Sequence, residues 1–192
     1  MSNDITENER NAAHYNDLWA SGYGIRYRFE QPYVIPMTEL LGRFCRCPRH
    51  VLDVGAGYGF PALKFISTFM LRKYTAYEFS DSMDFTSKLL DPFRDYCDIT
   101  LHKETFRGIQ VDDYDCVVAL EILEHIVWDL EFIASLKSGT RLFFSVPKDM
   151  PGVRHVRTFQ NHKEVIARYE HLVTFEHTIL FDKWYCIYCK RI

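Results

Sequence analysis

Four groups of residues in this chain have the types and spacing to do chemistry. The first is Asp53-Val54-Gly55-Ala56-Gly57-Tyr58-Gly59, an acid followed by glycines at alternate positions. Glycine is needed where a backbone turns tightly or must approach a ligand more closely than a β-carbon permits, so this stretch reads as the seat of a cofactor. The second is Glu78, about 20 residues after the glycine turn, the interval expected of a carboxylate that accepts from both hydroxyls of a ribose. The third is Glu121-Ile122-Leu123-Glu124-His125, two carboxylates and an imidazole within five positions. An imidazole titrates near neutral pH and suits a general base; the same three side chains also make an oxygen- and nitrogen-rich corner for Mg²⁺ or a similar divalent ion. The fourth is His155, flanked by Arg154 and Arg157, cationic groups that could contact an anionic substrate.

Spacing argues against two common cofactor classes. A dinucleotide fingerprint wants glycine or alanine three positions after Gly57, and Phe60 stands there. A phosphate-gripping Walker loop wants Lys followed by Ser or Thr, and this chain has Phe60-Pro61. The cysteines Cys45, Cys47, Cys186 and Cys189 match the count of a four-thiolate zinc site. Cys186 and Cys189, however, lie three apart in a strand-like run, where they face opposite sides, so buried reduced thiols are the expectation.

The elements that must carry these residues follow from periodicity. Met37, Leu40, Leu41 and Phe44 are spaced as a helix over Pro36 to Cys47, and a strand opens near His50. Pro61 starts a helix to about Leu71, its missing N–H costing nothing in a first turn. Tyr74 to Phe79 reads as a strand, a helix runs through Leu89 and Leu90, and Asp98 to His102 is the next strand. Asp115 to Leu120 is a buried strand, His125 to Leu136 a helix, and Arg141 to Pro147 a further strand followed by a loop to Phe159. His171 to Thr178 and Trp184 to Arg191 form an antiparallel hairpin about Phe181-Asp182-Lys183.

With its Asp-x-Gly-x-Gly-x-Gly turn and its strand-end acid, the chain resembles the class I S-adenosylmethionine-dependent methyltransferases. The resemblance implies that Gly55, Ala56, Gly57 and Gly59 wrap the methionine end of the cofactor, with Asp53 near its amino group and Glu78 at the ribose. The run Glu78-Phe79-Ser80-Asp81-Ser82-Met83 is similar to the family's acid-x-Ser-x-x-Met, which implies Phe79 and Met83 against the adenine. Glu104 and Thr105 fall where relatives place groups near the adenine amino group, and Leu120 and Glu121 where a strand end lies beside the cofactor. The segment Glu121-x-x-Glu124-His125-Ile126 resembles that of the ubiquinone-pathway O-methyltransferases and their small-molecule relatives. His155-x-x-x-Phe159 is similar to a stretch after the fifth strand of small-molecule methyltransferases. Together they imply His125 and His155 as catalytic residues. Metal use in some of these relatives, and in small-RNA 3′-terminal 2′-O-methyltransferases, implies Mg²⁺ at Glu121, Glu124 and His125 as an alternative role; the downstream histidine of the RNA enzymes' site would here be His155, although Arg154-His155-Val156-Arg157 departs from their pattern.

The resemblance implies an α/β, three-layer Rossmann-like methyltransferase fold with a mixed seven-stranded sheet whose last strand is antiparallel, over residues 36–192. Residues 1–35 are an aromatic-rich lead-in from which Tyr23, Arg26 and Arg28 could form a lid over the substrate. The expected reaction is methyl transfer to an oxygen or nitrogen of a small-molecule acceptor. A metal-dependent RNA 2′-O-methyltransferase and a non-catalytic cofactor-binding partner subunit stay open. With 23 basic and 26 acidic residues the formal charge is -3, which does not favour general nucleic-acid binding. No apolar run approaches the roughly 20 residues that span a bilayer, and the polar, acidic start is unlike a secretory signal, so a cytoplasmic location is expected.

Overall fold

Short runs of β-branched and aromatic residues bounded by turns pair laterally, because each buried backbone N–H and C=O must find a partner. In the computed structural model, which describes residues 16–17, 33–46, 48–111, 113–150 and 155–192, this gives one seven-stranded sheet. Its strands are β1 (His50–Val54), β2 (Lys73–Tyr77), β3 (Asp98–His102), β4 (Cys116–Leu120), β5 (Arg141–Pro147), β6 (Val173–Phe181) and β7 (Trp184–Arg191). The spatial order is β3-β2-β1-β4-β5-β7-β6. β1 to β5 pair in parallel, and β7 runs antiparallel to both β5 and β6.

Side chains alternate between the two faces, as the pleat requires. Val51, Val118, Phe143 and Cys186 join one core with helices α1 (Val34–Cys45), α2 (Phe60–Phe69) and α3 (Ser82–Leu90). Leu52, Val117, Phe144 and Cys189 join the other with α4 (Asp129–Ser135) and α5 (His162–Tyr169). The result is the expected three-layer α/β architecture. Cys186 and Cys189 lie on opposite faces, so one tetrahedral metal site cannot take both. Among the described residues no helix is long and apolar enough to cross a membrane.

Two expectations fail locally. The helix expected from His125 begins instead at Asp129, and residues 122–128 form turns. In a helix the carbonyls of Leu123 and Glu124 would accept from the N–H groups four residues on. Here they accept from Arg157 Nη1 and from Val156 N (2.8 Å), donors of a distant loop. Leu123, Ile126 and Trp128 are buried all the same, so the turn satisfies the apolar pattern that suggested a helix.

The second failure is α5, within a stretch that carried no expected element. Its apolar face is small, with only Val165 and Tyr169 buried, so periodicity is weak. Its start signal is strong. The Asn161 side chain accepts from Lys163 N (3.0 Å) and Glu164 N (3.3 Å), and Glu164 reaches back to accept from Gln160 N (2.8 Å). Replacing Asn161 by Ala leaves two helix-start donors without this acceptor and should lower the unfolding free energy by about 1 kcal/mol. Urea denaturation followed by circular dichroism measures it, and an unchanged midpoint would refute the cap.

Candidate active site

The parallel strands β1, β2 and β4 all end at one edge, and the chemistry-bearing residues of the sequence gather there. β1 stops at Val54, and Gly55, Gly57 and Gly59 all have positive φ (73°, 55° and 71°). The N–H groups of Gly55 and Ala56 both donate to Tyr77 O, at 2.8 and 3.2 Å, so the turn is stitched to the end of β2. A β-carbon on Gly55 would overlap the Ile122 side chain, and one on Gly59 would sit 2.6 Å from Thr86 Cγ2. Thr86 Oγ1 donates to Gly57 O at 2.7 Å, binding α3 to the same turn. Asp53 is buried beneath, accepting from Tyr74 Oη at 2.7 Å. Burial, reinforced by the Asp53 charge, pushes the Tyr74 phenol well above its usual range, so it remains a proton donor.

Glu78 is buried, and its carboxylate accepts from Gly57 N (3.1 Å) and Ser80 N (2.9 Å). It therefore shapes the glycine turn directly. A carboxylate has about four lone-pair sites, so two amide bonds leave acceptor capacity for a pair of hydroxyls. Phe79, 37% exposed, and Met83, buried, follow it into α3. Glu104 and Thr105 are exposed: Glu104 lies 3.3 Å from His102 Nδ1, and Thr105 Oγ1 accepts from Arg107 N.

β4 ends in Leu120, buried, and then Glu121, whose φ of 57° is a left-handed conformation costly for a residue with a β-carbon. Side-chain bonds hold it there. Ser145 Oγ donates to Glu121 Oε1 at 2.8 Å and accepts from Glu121 N at 3.1 Å, while Trp184 Nε1 donates to Oε2 at 2.8 Å. The left-handed bend turns the chain away from the strand, and Glu124 and His125 follow in the next turn. Nothing in the local sequence marked Ser145 or Trp184 as partners of Glu121, because they come from β5 and β7.

Glu124, His125 and His155 come together. Their ligand atoms all lie within 4.8 Å of one another, the His125 and His155 rings are 4.8 Å apart in an edge-to-face arrangement, and Glu124 Oε1 is 3.6 Å from His125 Nε2. Glu124 is fully buried. His155 Nδ1 lies 2.8 Å from Met150 O; a carbonyl only accepts, so Nδ1 carries the hydrogen and Nε2 the lone pair. Among the described residues this cluster excludes Glu121, which differs from the expected metal set of Glu121, Glu124 and His125. The physical reason is the bend: Glu121 points toward β5 and β7, and the third ligand position is filled across the chain by His155.

Arg157 is half-buried against Asp129, its Nη2 3.0 Å from Oδ1, and its Nη1 donates to Leu123 O. Burial pulls its guanidinium below the usual range while the Asp129 charge opposes that shift. Tyr23, Arg26, Arg28 and Arg154 lie outside the described residues.

No family model and no curated relative matches the sequence. Solved structures do match in fold. The 1,6-didemethyltoxoflavin-N1-methyltransferase of Burkholderia thailandensis, with bound 1,6-didemethyltoxoflavin and S-adenosylhomocysteine, is similar at TM-score 0.70 and 15% identity, over 95% of this chain and 91% of that one. The magnesium protoporphyrin IX methyltransferase of Synechocystis PCC 6803, with bound SAH, is similar at 0.66 and 16%, over 83% and 82%. The N-methyltransferase NodS of Bradyrhizobium japonicum, also with SAH, is similar at 0.64 and 13%, over 86% and 91%. The chain thus has the Rossmann-like methyltransferase fold.

The glycine turn offers a direct test of its own geometry. Gly55 and Gly139 both have positive φ, but a β-carbon at Gly139 would meet nothing within 4 Å. Gly139→Ala should therefore cost only the conformational strain, about 1–3 kcal/mol, and Gly55→Ala measurably more because Ile122 must also move. Equal unfolding free energies for the two variants would show that the turn is not sterically closed.

Proposed function

We propose that this chain transfers the methyl group of S-adenosylmethionine to an oxygen or nitrogen of a small-molecule acceptor. The observation that carries the reading is the joint geometry of the glycine turn and Glu78. A buried strand-end carboxylate reaches back to the Gly57 amide from 21 residues away in sequence, and it retains acceptor capacity at the edge where open α/β sheets bind ligands. The fit to the cofactor rests on the three positive-φ glycines, where a β-carbon at Gly55 or Gly59 would collide with the protein's own side chains. When bound there, the cofactor supplies an electrophilic methyl on a sulfonium.

The chain's own residues would then divide the work. The turn through Gly55, Ala56, Gly57 and Gly59 would line the methionine end of the ligand, Asp53 stands below the turn, and Glu78 would accept from ribose hydroxyls. Phe79 and Met83 flank the base, with Glu104 and Thr105 toward its outer edge. Leu120 and Glu121 line the strand end. His125 and His155 face the acceptor, and His155, with Nδ1 bonded to Met150 O, has the tautomer that takes a proton at Nε2. Alignment of the acceptor and exclusion of water supply much of the acceleration in such a transfer.

The cluster of Glu124, His125 and His155 favours a second reading of the same site, in which a divalent ion activates the acceptor. Two imidazoles and one carboxylate suit Mn²⁺ or Zn²⁺ better than Mg²⁺, which prefers an all-oxygen shell and keeps its waters. The ion would be held by those three residues, with Glu121 outside the set.

Calorimetric titration with S-adenosylhomocysteine tests the first reading. Binding is expected for the native chain, and Glu78→Ala should weaken it by about tenfold or more, since a hydrogen bond to a charged group is worth about 1.5–3 kcal/mol. No heat and no rise in melting temperature for the native chain would end the proposal. His125→Ala should lower turnover far more than donor affinity. Treatment with EDTA separates the two readings: activity lost and restored by Mn²⁺ or Zn²⁺ supports the ion, and activity unchanged assigns His125 and His155 to proton transfer.

A further inference from the structure

The loop after β5 doubles back on itself. Lys148 pairs with Phe159 as a β-bridge and Asp149 N donates to Phe159 O at 2.8 Å, so the two ends of the loop are joined and His155 sits on the returning limb. That limb touches the turn after β4 at consecutive positions. Val156 N donates to Glu124 O at 2.8 Å and Arg157 Nη1 to Leu123 O. These are the two carbonyls whose intrahelical use would have drawn His125 into the start of α4. The same Arg157 guanidinium places Nη2 3.0 Å from Asp129 Oδ1, at the true start of α4.

Asp129 is fully buried, and it is held from the other side by α5. Arg168 donates through Nε and Nη2, both at 2.7 Å, and Tyr169 Oη donates at 2.9 Å. A buried carboxylate with three donors from one helix is held independently of Arg157, so it can act as an anchor. Arg157 is a planar fork that spans two acceptors at once, the Asp129 carboxylate and the Leu123 carbonyl, which a single lysine ammonium does not reproduce with the same geometry.

We infer that Arg157, anchored on Asp129, is the positioning residue for the site: it locks the His155 limb against the Glu124-His125 turn and keeps that turn out of helical conformation, so that both imidazoles face one point. This rests on the reading of His125 and His155 as the reacting edge. It gives Arg157 a role inside the protein, in place of the substrate contact that its position in a basic loop suggested.

The inference predicts that, in the native chain, the Val156 amide exchanges with solvent as slowly as amides of β4 and β5, although it lies in a loop. Fast exchange there overturns the proposal without any variant being made. Arg157→Lys is then compared with Gly139→Ala, which strains a turn before β5 where a β-carbon meets nothing within 4 Å, away from the limb and from α5. Arg157→Lys should abolish the nuclear Overhauser contact between the His125 and His155 rings and lower kcat by on the order of 10²-fold at unchanged affinity for S-adenosylhomocysteine. Gly139→Ala should lose stability and keep both the ring contact and kcat. If the two variants behave alike, Arg157 is merely structural and the proposal falls. If the native chain transfers no methyl group to any acceptor, the functional reading fails on its own, and the exchange and ring-contact measurements still decide the clamp.

Discussion

The arrangement of the glycine turn depends on one buried carboxylate. Glu78 ends β2 but accepts from the amide of Gly57, beyond the end of β1, and from Ser80, at the approach to α3. A buried carboxylate must find hydrogen-bond partners, and here they are two backbone amides, one from the glycine turn and one from the segment before α3. The consequence runs in both directions. Glu78 holds the glycine turn at the Gly57 amide, and the turn in return satisfies one oxygen of the buried carboxylate. Substituted glycines would break this from the other side, by pushing Ile122 or Thr86 away from the turn.

A second buried carboxylate organises the opposite side of the site. Asp129 gathers Arg168 and Tyr169 from α5 and Arg157 from the loop after β5. Breaking one partner from a buried ion pair costs about 3–5 kcal/mol, which is comparable to a large share of a domain's net stability. Such a pair is therefore a firm hinge pin, and the segments it joins carry the two histidines. One carboxylate thus fixes the backbone of the glycine turn, and the other fixes the segments that carry the histidines.

Glu121 sits between these halves in a left-handed conformation, held by Ser145 and Trp184. Backbone strain at a strand end is tolerated where the surroundings over-determine it, and the three side-chain bonds around Glu121 do so here. The bend has a geometric effect: it diverts the chain immediately after β4, so that Glu124 and His125 lie in a turn accessible to the loop after β5.

The seven strands, most of the helices and the glycine turn were legible in the amino-acid sequence because each is encoded locally. The apolar runs of β4 and β5, Pro61 after the last glycine and the interval to Glu78 are all short-range signals of burial, capping and backbone freedom. The start of α4 was misplaced for a related reason, since Leu123, Ile126 and Trp128 carry an apolar pattern that a turn buries as well as a helix does. What only the tertiary structure decided is which distant groups meet: His155 with Glu124 and His125, Arg157 with Asp129 and Leu123, Trp184 with Glu121. Those contacts join residues 28 to 63 positions apart, across loops and crossover connections. Residue type along the chain determines which side chains want a partner, but the partner is chosen by sheet order and by the unmet hydrogen-bonding capacity of buried groups, and both exist only once the chain has folded.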